Sequence, residues 1–333
     1  MIPRIQIPEH RSAWQTLLAQ AVKSTDELLT LLQLDPAQLK TRPLTDNFPL
    51  RVPHGFVQRM HKGDCRDPLL LQVLPVQQET MATDGFLHDP LEELDSMPVP
   101  GLLHKYQGRA LLTVTGACAI HCRYCFRRHF PYADANPTAD HWQPSIKYIE
   151  QHPDITELIL SGGDPLTLTD ARLHSLTDGL ADIDHLRTLR IHTRLPIVLP
   201  ERVDKGLLSW LATQKQKLVM VVHCNHPNEI NAAVIEAMNR LSRAGVVLLN
   251  QSVLLQDIND DATTLVNLSE RLFAAGVLPY YLHQLDRVQG AAHFEVDTAT
   301  ARKLIAEVSA CLPGYLVPRL VQEIPGMPGK TPL

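Results

Sequence analysis

Six short apolar runs, at Leu111–Val114, Glu157–Leu160, Arg187–Ile191, Leu218–Val222, Val246–Leu249 and Val277–Tyr281, constrain this chain more than any other feature. After the first interval, which also holds a cysteine-bearing loop, they start roughly every 30 residues, the span of a strand, a crossover helix and the next parallel strand. The segments between them carry helical periodicity. Ile230, Ala233, Val234, Ala237, Met238 and Leu241 recur on one face and Gly245 follows as a stop, and Ala301, Leu304, Ile305 and Val308 repeat the pattern. The chain is therefore expected to be α/β, with six parallel strands and outer helices, either partly closed as a barrel or open as a doubly wound sheet. The partial barrel is the favoured form.

Each run ends in polar or reactive residues: Cys118, Ser161-Gly-Gly-Asp164, His192-Thr-Arg194, His223-Cys-Asn225, Asn250-Gln-Ser252, and His283 to Asp286. Parallel α/β folds carry their chemistry at the carboxyl ends of the strands, so these endings predict one shared polar mouth. Upstream the texture differs. Trp14, Leu17, Leu18, Ala21 and Val22 share a helical face, and Ser24 with Glu27 makes a capping box for a helix over Leu28–Leu32. Pro43, Pro49, Pro53, Pro68, Pro75, Pro90, Pro98 and Pro100 then interrupt any regular element. The expected organisation is a helical and proline-rich wrapping region over 1–100, the barrel over 101–315 and a C-terminal segment over 316–333.

With 333 residues and 44% hydrophobic content, the chain can bury a full core, and a net charge of −5 supplies no basic field for nucleic acid or an anionic membrane. The opening MIPRIQIPEHRSAW has no apolar leader core, and no run approaches the ~18 apolar residues of a membrane span. A cytoplasmic location is expected, without nucleic-acid or membrane partners. Six cysteines in such a chain do not make a disulfide scaffold. Cys65, Cys224 and Cys311 have no spacing partner and read as packed thiols.

The other three form Cys118-Ala-Ile-His-Cys122-Arg-Tyr-Cys125, a C-x3-C-x2-C loop. Three thiolates can hold a [4Fe-4S] cluster with one iron open to a further ligand. The rival reading, which the spacing favours less, is a structural zinc completed by His121 or His129. Gly162 and Gly163 read either as an ordinary tight turn or as a place where backbone approaches a ligand closely.

Beyond these readings, the segments CRYCFRRHF, SGGDPL, HTRLPIVLP, HCNHPNEI, NQSVLL, HFEV and IPGMPGK, from roughly residue 100 onward, resemble the lysine 2,3-aminomutase family of radical S-adenosylmethionine (SAM) enzymes. The resemblance implies a partial (β/α)6 radical SAM barrel and an isomerase that moves an amino group by means of a SAM-derived radical and pyridoxal 5′-phosphate (PLP). It implies a [4Fe-4S] cluster on Cys118, Cys122 and Cys125, with SAM chelating the open iron. The turn Ser161, Gly162, Gly163 and Asp164 would receive the SAM amino group, and His223 and Gln251 would line the SAM site. Lys330 matches the PLP lysine, and Lys105, Tyr106 and Arg109 match the segment that holds the PLP phosphate. Arg127 matches the partner of the substrate carboxylate, and Asp286 and Glu323 match the acids that receive the ammonium of L-lysine.

The chain departs from the family at several points. Lys105 stands where arginine is frequent, which keeps the charge but loses the fork, and Glu323 stands where aspartate is usual. The cysteine-bearing zinc segment that commonly follows the PLP lysine is lacking, so no zinc is expected, and a homodimer rests on the resemblance alone. In length the chain looks most like the branch that makes (R)-β-lysine from (S)-α-lysine for elongation factor P, where a ligase attaches it. That implies a functional link to the factor and its ligase without direct contact, and an electron donor such as a flavodoxin or ferredoxin. Three other readings stay open at this point: the same chemistry on another amino acid such as glutamate, a radical SAM enzyme without PLP, and a zinc-stabilised binding module.

Overall fold

The computed structural model describes residues 12–39, 48–132 and 142–333. Residues 1–11, which include most of the opening MIPRIQIPEHRSAW, and Pro43 lie outside the described residues. A single sheet organises the rest. Its strands are β1 (Leu102–Tyr106), β2 (Arg109–Thr115), β3 (Glu157–Gly162), β4 (Thr188–Thr193), β5 (Lys217–His223), β6 (Val247–Val253), β7 (Leu278–His283), β8 (Arg319–Gln322) and β9 (Thr331–Pro332), and each is bonded to the next in sequence. All pairings from β2 to β8 are parallel, while β1 and β9 lie antiparallel along the two edges.

The six expected runs are β2 to β7. A doubly wound sheet reverses strand order at a switch point, and this sheet never does. Right-handed crossovers in an unreversed order put every helix on one side, so the sheet curls with its other face inward. β1 and β9 do not pair with each other among the described residues, which leaves the barrel partial. β8 extends the parallel series beyond the expected six strands. It was not anticipated because its four residues follow a proline and carry too short a pattern.

Alternation along the strands sorts the side chains. Leu158, Leu160, Leu189, Ile191, Leu218, Met220, Val222 and Leu248 pack into the main apolar core with the helices. Ser161, His192, His223, Gln251 and His283 belong to the opposite register, at the carboxyl ends. Local capping supports the arrangement: Thr169, Asp204, Asn231, Asp261 and Asp297 each accept a backbone N–H at the start of the helices Asp170–Asp178, Lys205–Ala212, Ala232–Arg243, Ala262–Ala274 and Thr298–Cys311. Gly245 follows the third of these, just past its C-cap Ala244, with a φ of +83°.

The N-terminal region differs in detail from its expectation. The first helix is only Ala13–Ala19; Trp14 is buried but Leu17 is exposed, and Val22 lies past the helix in a backbone bridge to Val52. The second helix starts earlier, at Thr25, with Ser24 Oγ accepting from Glu27 N at 3.5 Å. Leu50, Val52, Phe56, Leu69, Leu70 and Val73 of the proline-rich stretch share the main core with the outer sides of the strands. No described helix is long and apolar enough to cross a membrane.

Candidate active site

The cysteine loop leaves the end of β2 and is clamped against the turn after β3. Gly163 N donates to Thr115 O at 2.7 Å, and Asp164 N donates to Ala117 O at 2.8 Å. A Cβ on either glycine would stand 2.4 Å from a backbone oxygen, Thr115 O for Gly162 and Ala117 O for Gly163, and Gly162 also has a φ of +123°. These glycines therefore let two strand ends touch, which fixes the root of the cysteine loop. Asp164 is buried, and its carboxylate accepts from Thr193 Oγ1 (2.7 Å), Arg194 N (2.8 Å), Leu195 N (3.0 Å) and Leu166 N (3.0 Å). It ties the end of β3 to the end of β4. Burial still holds its carboxyl above the ordinary range, against those hydrogen bonds.

Cys118, Cys122 and Cys125 are half-buried thiols that act on one another. Burial and then the neighbouring Cys125, Asp164 and Cys122 push the Cys118 thiol well up, and burial and Cys122 push Cys125 to about 11. The two histidines that could complete a zinc site point elsewhere. His121 Nδ1 lies 2.7 Å from Pro49 O, and His129 Nε2 lies 3.1 Å from Gln289 O. Among the described residues no three His, Cys, Asp or Glu side chains are arranged to hold a single metal ion. The donor set that remains is three soft sulfur ligands on one loop, which fits a cluster with an open iron.

A buried polar hub lies under this loop. Arg194 Nη1 donates to Cys122 Sγ and to Tyr124 Oη, both at 2.6 Å, while its Nη2 donates to Gln72 Oε1 (2.6 Å) and Glu229 Oε2 (2.9 Å). Asn225 Nδ2 joins the same group through Tyr124 Oη (2.7 Å) and Gln72 Oε1 (3.1 Å). The hub connects the ends of β4 and β5 to the proline-rich region. That region also supplies the counter-ions of the loop: Glu79 pairs with Arg123 and Arg128, and Glu93 takes Arg127 in a two-point fork, Nε at 2.7 Å and Nη2 at 2.8 Å. The remaining corner of Arg127, Nη1, donates to Ser161 Oγ at 3.1 Å and to Gly162 O at 3.4 Å.

At the other side of the mouth Lys330 Nζ donates to Glu323 Oε2 at 2.8 Å, with Lys105 Nζ 3.7 Å from the same carboxylate. Lys330, Lys105 and a hydrogen bond from Tyr106 hold the Glu323 carboxyl below its ordinary range against burial. Arg109 stacks on the Tyr106 ring at 4.6 Å. Burial, assisted by Glu323, raises Asp286 to about 7, while Lys330 and Lys105 oppose the rise. His192 and His283 are held neutral by burial, reinforced by Lys330, and burial lowers His223 to about 4. His223 and Gln251 stand opposite each other in the β5–β6 register.

The structure thus brings Lys105, Tyr106, Arg109, Glu323, Lys330 and Asp286 into one electrostatic group, and Cys118, Cys122, Cys125, Ser161 and Arg127 into an adjoining one. Sequence reading did not single out Gln72, Glu79 or Glu93, which lack periodicity or motif context, and it gave no role to Tyr124 or Glu229, although both lie inside quoted motif segments. Arg194, His192 and His283 were visible as strand endings but had no role attached. A cationic and hydroxyl-bearing wall beside an accessible lysine fits a phosphorylated aldehyde cofactor, and the buried Nε2 atoms of His192 and His283 have no hydrogen-bond partner in the protein.

No family model matches the chain. Among curated proteins, it is 52% identical to L-lysine 2,3-aminomutase of Escherichia coli (strain K12), covering 97% of this chain and 95% of the relative. It is 45% identical to L-lysine 2,3-aminomutase of Haemophilus influenzae, covering 99% and 98%. With L-lysine 2,3-aminomutase of Fusobacterium nucleatum it shares 38% identity over 98% of this chain and 77% of that one. Among solved structures, a radical SAM methyltransferase from Sphaerobacter thermophilus aligns with 66% of this chain and 68% of its own at 14% identity and a TM-score of 0.49.

Proposed function

Since the chain belongs to the lysine 2,3-aminomutase family of radical SAM isomerases, we propose that it converts (S)-α-lysine to (R)-β-lysine with PLP carried on Lys330. The observation that carries this reading is the seat of Lys330: a residue of the C-terminal segment brought to the barrel mouth, on Glu323, with Lys105, Tyr106 and Asp286 around it. When bound, the cluster and SAM supply a radical that takes hydrogen from the substrate β-carbon, and PLP carries the migrating nitrogen.

The chain's own residues hold and orient these groups. Cys118, Cys122 and Cys125 anchor the cluster, and the clamped glycine turn keeps their loop against β3 on the side where His223 and Gln251 line the SAM site. Lys105, Tyr106 and Arg109 hold the phosphate. Arg127, stiffened by Glu93, presents Nη1 to the substrate carboxylate next to Ser161. Asp286 and Glu323 receive the side-chain ammonium, whose burial requires anionic partners. This charge pattern favours lysine over glutamate. The product would supply β-lysine for modification of elongation factor P, with a small electron-transfer protein reducing the cluster.

Anaerobic protein reconstituted with iron, sulfide and PLP should turn L-lysine into β-lysine in the presence of SAM and a reductant, as followed by mass spectrometry. Absence of β-lysine from protein carrying both cofactors would sink the lysine assignment.

The Asp286 carboxyl gives a pH signature. It is raised to about 7, so it is largely neutral below that pH and ionised above it. Lysine keeps its ε-ammonium to about pH 10. KM for lysine should therefore fall as pH rises through about 7. Asp286→Asn should raise KM at pH 8 by about tenfold or more and abolish that limb; an unchanged pH profile in the variant would count against this role.

A further inference from the structure

We infer that His192 and His283 are positioning residues for PLP seated at Lys330, each donating a hydrogen bond to it through Nε2. This rests on the reading of Lys330 as the PLP lysine and extends it to two side chains with no role assigned above.

The two imidazoles end β4 and β7, on the face opposite the helix-packed core. His283 is nine-tenths buried, and the Nε2 of both rings is shielded from solvent with no hydrogen-bond partner. Histidines used by the fold elsewhere find one: His121 on Pro49 O (2.7 Å), His152 on Tyr148 O (2.6 Å) and His185 on Ile149 O (3.0 Å). His293 also has unpaired ring nitrogens, but it lies beside Arg123 and Arg128, away from Lys330. Two orphaned nitrogens, on β4 and β7, are a standing cost to the folded chain unless a ligand satisfies them.

The charge pattern narrows the ligand. Lys330, His223 and the two imidazoles influence one another, and Arg190 and Arg127 add positive charge near His192. A cation is disfavoured in such surroundings. Neutral imidazoles there suit the oxygen acceptors of a phosphorylated aromatic aldehyde cofactor seated at Lys330.

The test compares His192→Leu and His283→Leu, with His192→Asn and His283→Asn as partial rescues, in the full chain with its cluster loaded. PLP is titrated by visible absorbance, and thermal unfolding is followed without PLP. A positioning role predicts that each leucine variant weakens PLP affinity about tenfold while PLP-free stability stays level or rises, because a buried orphan has been removed. The asparagine variants should recover part of the affinity. Lower stability with unchanged PLP affinity would make the histidines structural and overturn the inference. Wild-type affinity and stability in both leucine variants would overturn it too. Failure of the parent reading looks different: the wild type itself would show no PLP absorbance that Lys330→Ala removes, and the inference would fall with it.

Discussion

Replacing Cys118, Cys122 or Cys125 singly by alanine is expected to abolish turnover of lysine, by about three orders of magnitude or more, because the radical that starts the reaction requires the cluster. The loop has no spare sulfur: Cys65, Cys224 and Cys311 lie outside it, and His121 and His129 are bonded to carbonyl oxygens. Iron content and SAM cleavage should fall together with β-lysine formation. The three variants should differ in stability. Cys122 is also an acceptor for the buried Arg194, so Cys122→Ala removes one of the four partners of that guanidinium and should unfold at a lower temperature than Cys118→Ala. Full turnover by Cys118→Ala would refute the cluster assignment.

Lys330→Ala should be nearly as damaging, with loss of the visible absorbance of bound PLP and a fall in turnover of about a thousandfold or more. Lysine also pairs with Glu323, so alanine removes a charge partner as well as a nucleophile. Lys330→Arg separates the two effects. A guanidinium keeps positive charge beside Glu323 but cannot condense with an aldehyde, so this variant should fold like the wild type and remain inactive. Recovery of activity in Lys330→Arg would show that the residue acts only through its charge.

The strands β2 to β7 were legible because buried parallel strands are apolar runs that end abruptly, and the polar mouth was legible from those endings. The edge strands were not: β8 has four residues and β9 two, too few for a period to register. Leu17 fits a helical face in sequence yet is exposed, because the helix stops at Ala19 and the chain turns to bridge Val22 with Val52. The role offered for Lys330 came from family resemblance alone, since one lysine near the end of a chain has no distinguishing pattern. Glu79 and Glu93 escaped notice because they lie in or beside single 3-10 turns, too short for a sequence pattern, and meet their arginines only through tertiary contact. The paired glycines were visible, but their interlock with Thr115 and Ala117 depends on how β2 and β3 end in space.

The unreversed strand order also bears on how the molecule is made. Each strand from β2 to β8 pairs with the one synthesised just before it, so the sheet can grow in step with the ribosome through contacts of modest sequence separation. The cysteine loop is complete once β3 has docked, and Arg194 closes over Cys122 when β4 follows. The meeting of Lys105 and Lys330 across Glu323 joins the first strand to the last and comes at the end. On the function proposed above, residues that would hold iron and sulfide would come together on the nascent chain well before those that would hold PLP.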